Sequence, residues 1–122
     1  MLSVTKRFEF SAAHHLPNHG GRCKNPHGHN FSLEVEVSGS KMWEGKEKGM
    51  IIDFGKLKKI VNEYIIDVLD HTYLNDKYEN PTAEEMVEDI AITLQHTISD
   101  IRYEVVRVRL YETPDSYAEW MK

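Results

Sequence analysis

The sequence predicts an α+β fold of order strand, strand, helix, helix, strand, strand, with both helices on one face of an antiparallel sheet. Three observations lead there. Apolar and polar residues alternate near both ends of the chain, the mark of half-buried strands. From about residue 54 to residue 98 the apolar spacing changes to the helical pattern. No repeat, low-complexity tract or linker interrupts the 122 residues, so a single domain spanning 1–122 is expected.

In the first stretch, "VTKRFEF", Phe8 and Phe10 share one face, with Arg7 and Glu9 on the other. "FSLEVEVSG" is clearer, with Phe31, Leu33, Val35 and Val37 alternating with Ser32, Glu34, Glu36 and Ser38. A polar, glycine-bounded loop, "SGSKMWEGKEKG", follows. "MII" then runs into Asp53, an N-cap residue type at the start of a helix. Leu57, Ile60, Val61, Tyr64, Ile65 and Val68 form that helix's apolar stripe. A second helix opens at "PTAEE", where Thr82 and Glu85 have capping-box spacing. Its buried stripe is Met86, Val87, Ile90, Ala91, Leu94 and Ile98. "YEVVRVRLYE" is the next strand, with Val106, Val108 and Leu110 on one face, and "SYAEWMK" forms a last short one.

Composition narrows the function. The net charge is −5, against the basic excess of a general nucleic-acid binder. A small anionic ligand held by a local basic patch stays compatible. No apolar run approaches the roughly 20 residues that span a bilayer, and "MLSVTKRFEF" lacks the apolar segment of a signal peptide. One cysteine makes no internal disulfide, so a reducing, cytoplasmic setting is expected.

The chain's only cysteine and most of its histidines crowd into "SAAHHLP" and "CKNPHGHN". Side chains of equal parity share a strand face. Carried backwards from Phe31, the buried face of the second strand reaches His29 and His27. Carried forwards from Phe10, the first strand reaches Ala12 and His14. Pairing the two strands would bring three imidazoles to one end of the core. Three histidines with an open fourth position form a catalytic zinc arrangement. The competing reading of a bare H-x-H pair is polar loop histidines. Cys23 lies four residues before His27, where a metal would lower its pKa.

Glu112 follows Val106, Val108 and Leu110 in phase. A core-facing carboxylate at a strand end needs a partner, and a ligand carrying N–H donors would supply one. A strand that has already ended would leave it solvated. "LDH" closes the first helix, and Asp70 there is placed to hold the His71 imidazole in one tautomer. A loop aspartate beside a surface histidine is the plainer alternative.

Together "FSAAHHLP", "CKNPHGHNF", "GMIIDFGKLK", "LDHTYLND", "NPTAEE" and "LYETP" resemble the 6-pyruvoyltetrahydropterin synthase / 6-carboxytetrahydropterin synthase family, in family order and at family-like spacings over nearly the whole chain. The resemblance implies a tunnelling fold of ββααββ type, assembled as trimers that stack into a homo-hexamer with sites between subunits. It implies Zn2+ held by His14, His27 and His29, with His15 a neighbour. Cys23 would be the catalytic thiolate and Asp70–His71 the acid–base pair. Glu112 would anchor the pterin ring, with Thr82 and Glu84 helping to hold it. Thr82 also reads as an N-cap, and Glu84 as a favourable first-turn anion.

The C-x-x-x-H-G-H spacing resembles the 6-carboxytetrahydropterin synthases of queuosine and 7-deazapurine biosynthesis. The implied substrate is 7,8-dihydroneopterin triphosphate. The implied products are 6-carboxy-5,6,7,8-tetrahydropterin, acetaldehyde and triphosphate. Arg22, Lys24, His15 and His19 are nearby in sequence for holding the triphosphate. The rival readings are a 6-pyruvoyl product, a zinc-hydroxide hydrolase or hydratase, and a non-enzymatic pterin- or metal-binding protein.

Overall fold

The computed structural model describes residues 1–122. Its two longest strands, β1 (Ser3–His14) and β2 (His27–Gly39), pair antiparallel along their length. The register sets Phe10 opposite Phe31, Ala12 opposite His29 and His14 opposite His27. The inward parity of both strands therefore ends in histidine at the same end of the sheet. β4 (Tyr103–Thr113) pairs with β2, and β5 (Ser116–Met121) with β4.

Two features differ from the expected four-stranded antiparallel sheet. A fifth strand, β3 (Thr72–Tyr73), pairs parallel with β1 at Ala12–Ala13, giving a mixed sheet of order β3-β1-β2-β4-β5. Two residues are too few to show alternation, and the bonds of the preceding Asp70 and His71 to the Ser11 backbone lead the chain into this pairing. The second difference lies in β4. Val105 is buried, whereas Val106 is only half-buried. A bulge against Glu36/Val37 pairs Val37 with Val105 and Glu36 with Arg107, leaving Val106 extra. The inward face is thus Tyr103 and Val105 before the bulge, then Val108 and Leu110 after it.

Both helices cover the apolar face. α1 (Phe54–Val61) continues through a π-turn (Asn62–Ile66) and a last turn (Asp67–Leu69). Asp53 caps it, accepting from the Lys56 amide at 3.1 Å. Its buried residues are Leu57, Val61, Ile65 and Leu69, each four apart, while Tyr64 and Val68 of the expected stripe are exposed. Four residues overshoot an α-helical turn by about 40°. The wider π-turn absorbs that drift and keeps the stripe on the sheet.

α2 (Ala83–Thr97) is capped by Thr82, whose hydroxyl accepts from the Glu85 amide at 3.2 Å. α2 packs over β4 and β5, and its Met86, Ile90, Ala91 and Leu94 join Phe31, Leu33 and Val35 of β2 in one core, all 0–1% exposed. Each large side chain buried this completely contributes about 1.5–3 kcal/mol. The opposite face is polar, with Arg107 held by Glu34, Glu36 and Glu119, and Arg109 by Glu119. No helix is long and apolar enough to cross a membrane.

Candidate metal centre and its surroundings

His14, His27, His29 and Glu112 converge, with one ligand atom from each lying within 4.8 Å of the others. His14 is fully buried and donates from Nδ1 to the Pro81 carbonyl at 2.8 Å. His27 likewise donates from Nδ1 to the Asn25 carbonyl at 2.8 Å. A carbonyl only accepts, so each Nδ1 carries the proton and each Nε2 of the neutral ring presents a lone pair. The Nε2 atoms of His14, His27 and His29 are buried and have no hydrogen-bond partner. Orphaned acceptors of this kind are costly without a ligand, and carbonyl-oriented imidazoles are the usual dress of metal-bound histidine.

Glu112 Oε1 lies 3.1 Å from the Nε2 atoms of both His14 and His29, so with Nε2 unprotonated two electron-rich atoms face each other, an arrangement that a cation between them would relieve. The imidazoles hold the Glu112 carboxyl below its ordinary range. Burial pushes His29 down; at His14 burial also acts downwards, but Glu112 and the Pro81 carbonyl together outweigh it and raise the imidazole. A tetrahedral site with bonds of about 2.0–2.1 Å has ligand–ligand edges of about 3.3 Å. The observed spacings suit such a centre, and three nitrogens with one carboxylate suit a divalent transition metal.

Glu112 also lines a hollow with Glu84, Ala83, Ser116, Tyr117 and Ala118, beside the α2 N-terminus. Thr82 caps that helix and does not line the hollow. Asp70 ends α1. Its Oδ1 accepts from the Ser11 amide at 2.9 Å, and its Oδ2 lies 3.0 Å from His71 Nδ1. The Ser11 amide, then the His71 contact, hold the Asp70 carboxyl below its ordinary range.

His71 adopts φ 59°, a left-handed conformation that costs a residue with a Cβ about 1–3 kcal/mol. Its amide donates to the Ser11 carbonyl at 2.6 Å. Asp70 and His71 do not join the metal cluster. His71 and His29 do line one open cleft where β1, β2 and β3 meet.

Cys23 sits half-buried in a single 3-10 turn (Arg22–Lys24), outside the four-residue cluster. The Leu16 amide ties that turn back to β1 through the Cys23 carbonyl at 2.7 Å. His15 points away from the cluster and pairs with the Tyr73 hydroxyl. Four of the five arginines contact carboxylates, whereas Arg22 contacts none. Residues 10–33 contain no Asp or Glu, although the chain holds 20.

Comparison with known proteins agrees with this geometry. The sequence model of the family described as 6-pyruvoyl tetrahydropterin synthase matches residues 3–122. The chain belongs to that family. It is an enzyme of the tetrahydropterin-synthase, lyase type. The 6-carboxy-5,6,7,8-tetrahydropterin synthase of Haemophilus influenzae is 34% identical, over 100% of both chains. That of Synechocystis sp. is 40% identical over 78% of this chain and 76% of the relative. The structure of Caenorhabditis elegans 6-pyruvoyl tetrahydropterin synthase superposes with TM-score 0.84 at 25% identity, covering 99% of this chain and 95% of that one.

Within this pterin-synthase frame the sequence did not reveal the supporting groups. The Pro81 and Asn25 carbonyls that orient the imidazoles are backbone atoms, silent in a residue pattern. Ser11 also acts through its backbone. Asn75, which clamps the His15 backbone in both directions at 2.9 Å, had only its place in a polar turn to mark it.

Proposed function

We propose that the protein is a zinc-dependent 6-carboxy-5,6,7,8-tetrahydropterin synthase. It converts 7,8-dihydroneopterin triphosphate to 6-carboxytetrahydropterin, acetaldehyde and triphosphate, in the cytoplasm, for queuosine or other 7-deazapurine synthesis. The observation that carries this reading is the convergence of three unpartnered Nε2 atoms beside the hollow lined by Glu112 and Glu84. That both sequence relatives are 6-carboxy-5,6,7,8-tetrahydropterin synthases favours the 6-carboxy product.

His14, His27 and His29 hold the metal, and Zn2+ suits their nitrogen donors. The chemistry a metal held there would supply is Lewis-acid polarisation of the substrate's side-chain oxygens, which would acidify the adjacent C–H. Glu112 accepts N–H donors from the amino-pyrimidinone edge of the pterin, with Glu84 and Thr82 at the same end of α2. Cys23, as thiolate, moves protons between side-chain carbons. Asp70 orients His71, which carries the second proton. Arg22, free of carboxylates, faces the triphosphate together with Lys24, His15 and His19. The working assembly is a homo-hexamer of two stacked trimers with sites between subunits.

The C. elegans structure carries a 6-pyruvoyl name, so the competing product is the 6-pyruvoyl one. Mass spectrometry of products from dihydroneopterin triphosphate separates the two. Acetaldehyde release with 6-carboxytetrahydropterin is expected, and a three-carbon side chain retained on the pterin would overturn the assignment. Cys23→Ala should keep zinc and pterin binding and lose nearly all turnover, because a thiolate base is not needed for metal affinity.

A further inference from the structure

We propose that Glu112 is an exchangeable fourth metal ligand. In the pterin-free enzyme its carboxylate closes the three-histidine site, and docking of the pterin ring draws it away. This rests on the metal and pterin roles proposed above and adds a coupling between them.

Three observations point to it. First, Oε1 lies 3.1 Å from two of the three Nε2 atoms, close to the roughly 3.3 Å edge of a tetrahedral zinc site. Second, the same side chain lines the hollow beside Glu84 and Tyr117. Third, little else restrains it. Glu112 makes no side-chain hydrogen bond to any other residue. It lies in an irregularity of β4, between the pairs Tyr111–Tyr117 and Thr113–Ser116, and beyond the last β2 pair at Ser32–Tyr111. Irregularities of this kind beside active sites re-aim a side chain.

The two roles compete. Accepting two N–H donors from a pterin edge engages both carboxylate oxygens in a fixed orientation, and the oxygen that ligates the metal is weakened as an acceptor and held in a different orientation. Ring docking would therefore draw Glu112 off the three-histidine site, leaving His14, His27 and His29 to hold the metal. Reciprocity requires that a ligand which removes Glu112 also weaken the metal.

The test uses unsubstituted pterin, which has the ring edge and no side-chain oxygens. Cobalt(II) replaces zinc as a spectroscopic probe in the full-length protein. Saturating pterin should change the visible cobalt spectrum of the parent, and should lower its zinc affinity severalfold against a competing chromophoric chelator. Glu112→Gln should bind zinc at least tenfold more weakly than the parent, with a cobalt spectrum unresponsive to pterin. A parent cobalt spectrum unchanged by bound pterin overturns the proposal without depending on any variant. Unaltered zinc affinity in Glu112→Gln, with pterin binding lost, also overturns it and leaves Glu112 as a pterin anchor only. A parent that binds no zinc would instead sink the three-histidine reading beneath both.

Discussion

The three histidines of the candidate metal centre sit in different surroundings, and that decides which substitution tests the site. His14 is fully buried between Phe31 and the Pro81 carbonyl, so alanine there would also leave a cavity. His27 is half-buried at the strand end and bonds only a nearby loop carbonyl. His27→Ala should therefore lose metal while keeping the fold. His15→Ala should retain full zinc, since that ring turns to Tyr73. Metal analysis of the two purified variants checks both, and full zinc in His27→Ala would remove it from the ligand set. This much was legible because parity is a strict rule along a strand: Phe10 leads to His14, and Phe31 to His29 and His27. The contact between Glu112 and two of those histidines was not legible. Parity aims a carboxylate inwards but says nothing of which partner waits on another strand.

At the scale of elements, the helices and longer strands followed from spacing and caps, and the misplacements occur where the backbone breaks period. A bulge flips the phase of β4, so Val105 faces the core where alternation pointed to Val106. Val105→Thr buries a hydroxyl among apolar neighbours and should cost about 1–3 kcal/mol. Val106→Thr should stay within about 0.5 kcal/mol. Urea unfolding of the pair measures the difference, and equal losses would place the bulge elsewhere. The polar face of the sheet adds a pH dependence. The Ser3 hydroxyl, then Arg107, hold the Glu36 carboxyl below its ordinary range. A carboxyl lowered on folding adds stability that is present above its unfolded value and lost as pH falls through its folded value. Unfolding free energy should thus drop as pH falls below the ordinary glutamate value of about 4.3. Glu36→Gln should flatten that slope by about 0.5–1 kcal/mol, as partly exposed pairs contribute little. An unchanged acid slope in Glu36→Gln would exclude the Ser3–Glu36–Arg107 contacts as its source.

At the scale of the molecule, the sheet is unfinished. β1 pairs with β3 only at Ala12–Ala13, and the outer side of β5 pairs with nothing, so two edges stay open. Open edges are templates for another chain, and joining β1 of one copy to β5 of the next would consume both. The groups proposed for catalysis are equally incomplete within one chain. His71 is 82% exposed on its side chain, and its pair with Asp70 stands apart from the cluster of His14, His27, His29 and Glu112. A proton carrier in open water works poorly, and a neighbouring copy at the β1 edge would cover it. No spacing within one chain could show a wall that another subunit would supply. The resemblance to the pterin synthases supplies the expectation that Cys23 and Asp70–His71 meet across that boundary. Cys23→Ala and His71→Ala should each be inactive alone. After dissociation, equal mixing and reassembly, a site drawing the two residues from adjacent subunits is intact when both neighbours supply the unmutated residue. In a closed ring with random mixing that holds for about a quarter of sites. The mixture should therefore regain about a quarter of parental activity, measured as triphosphate release. If both residues of a site came from one subunit, every site would carry a defect and no activity would return.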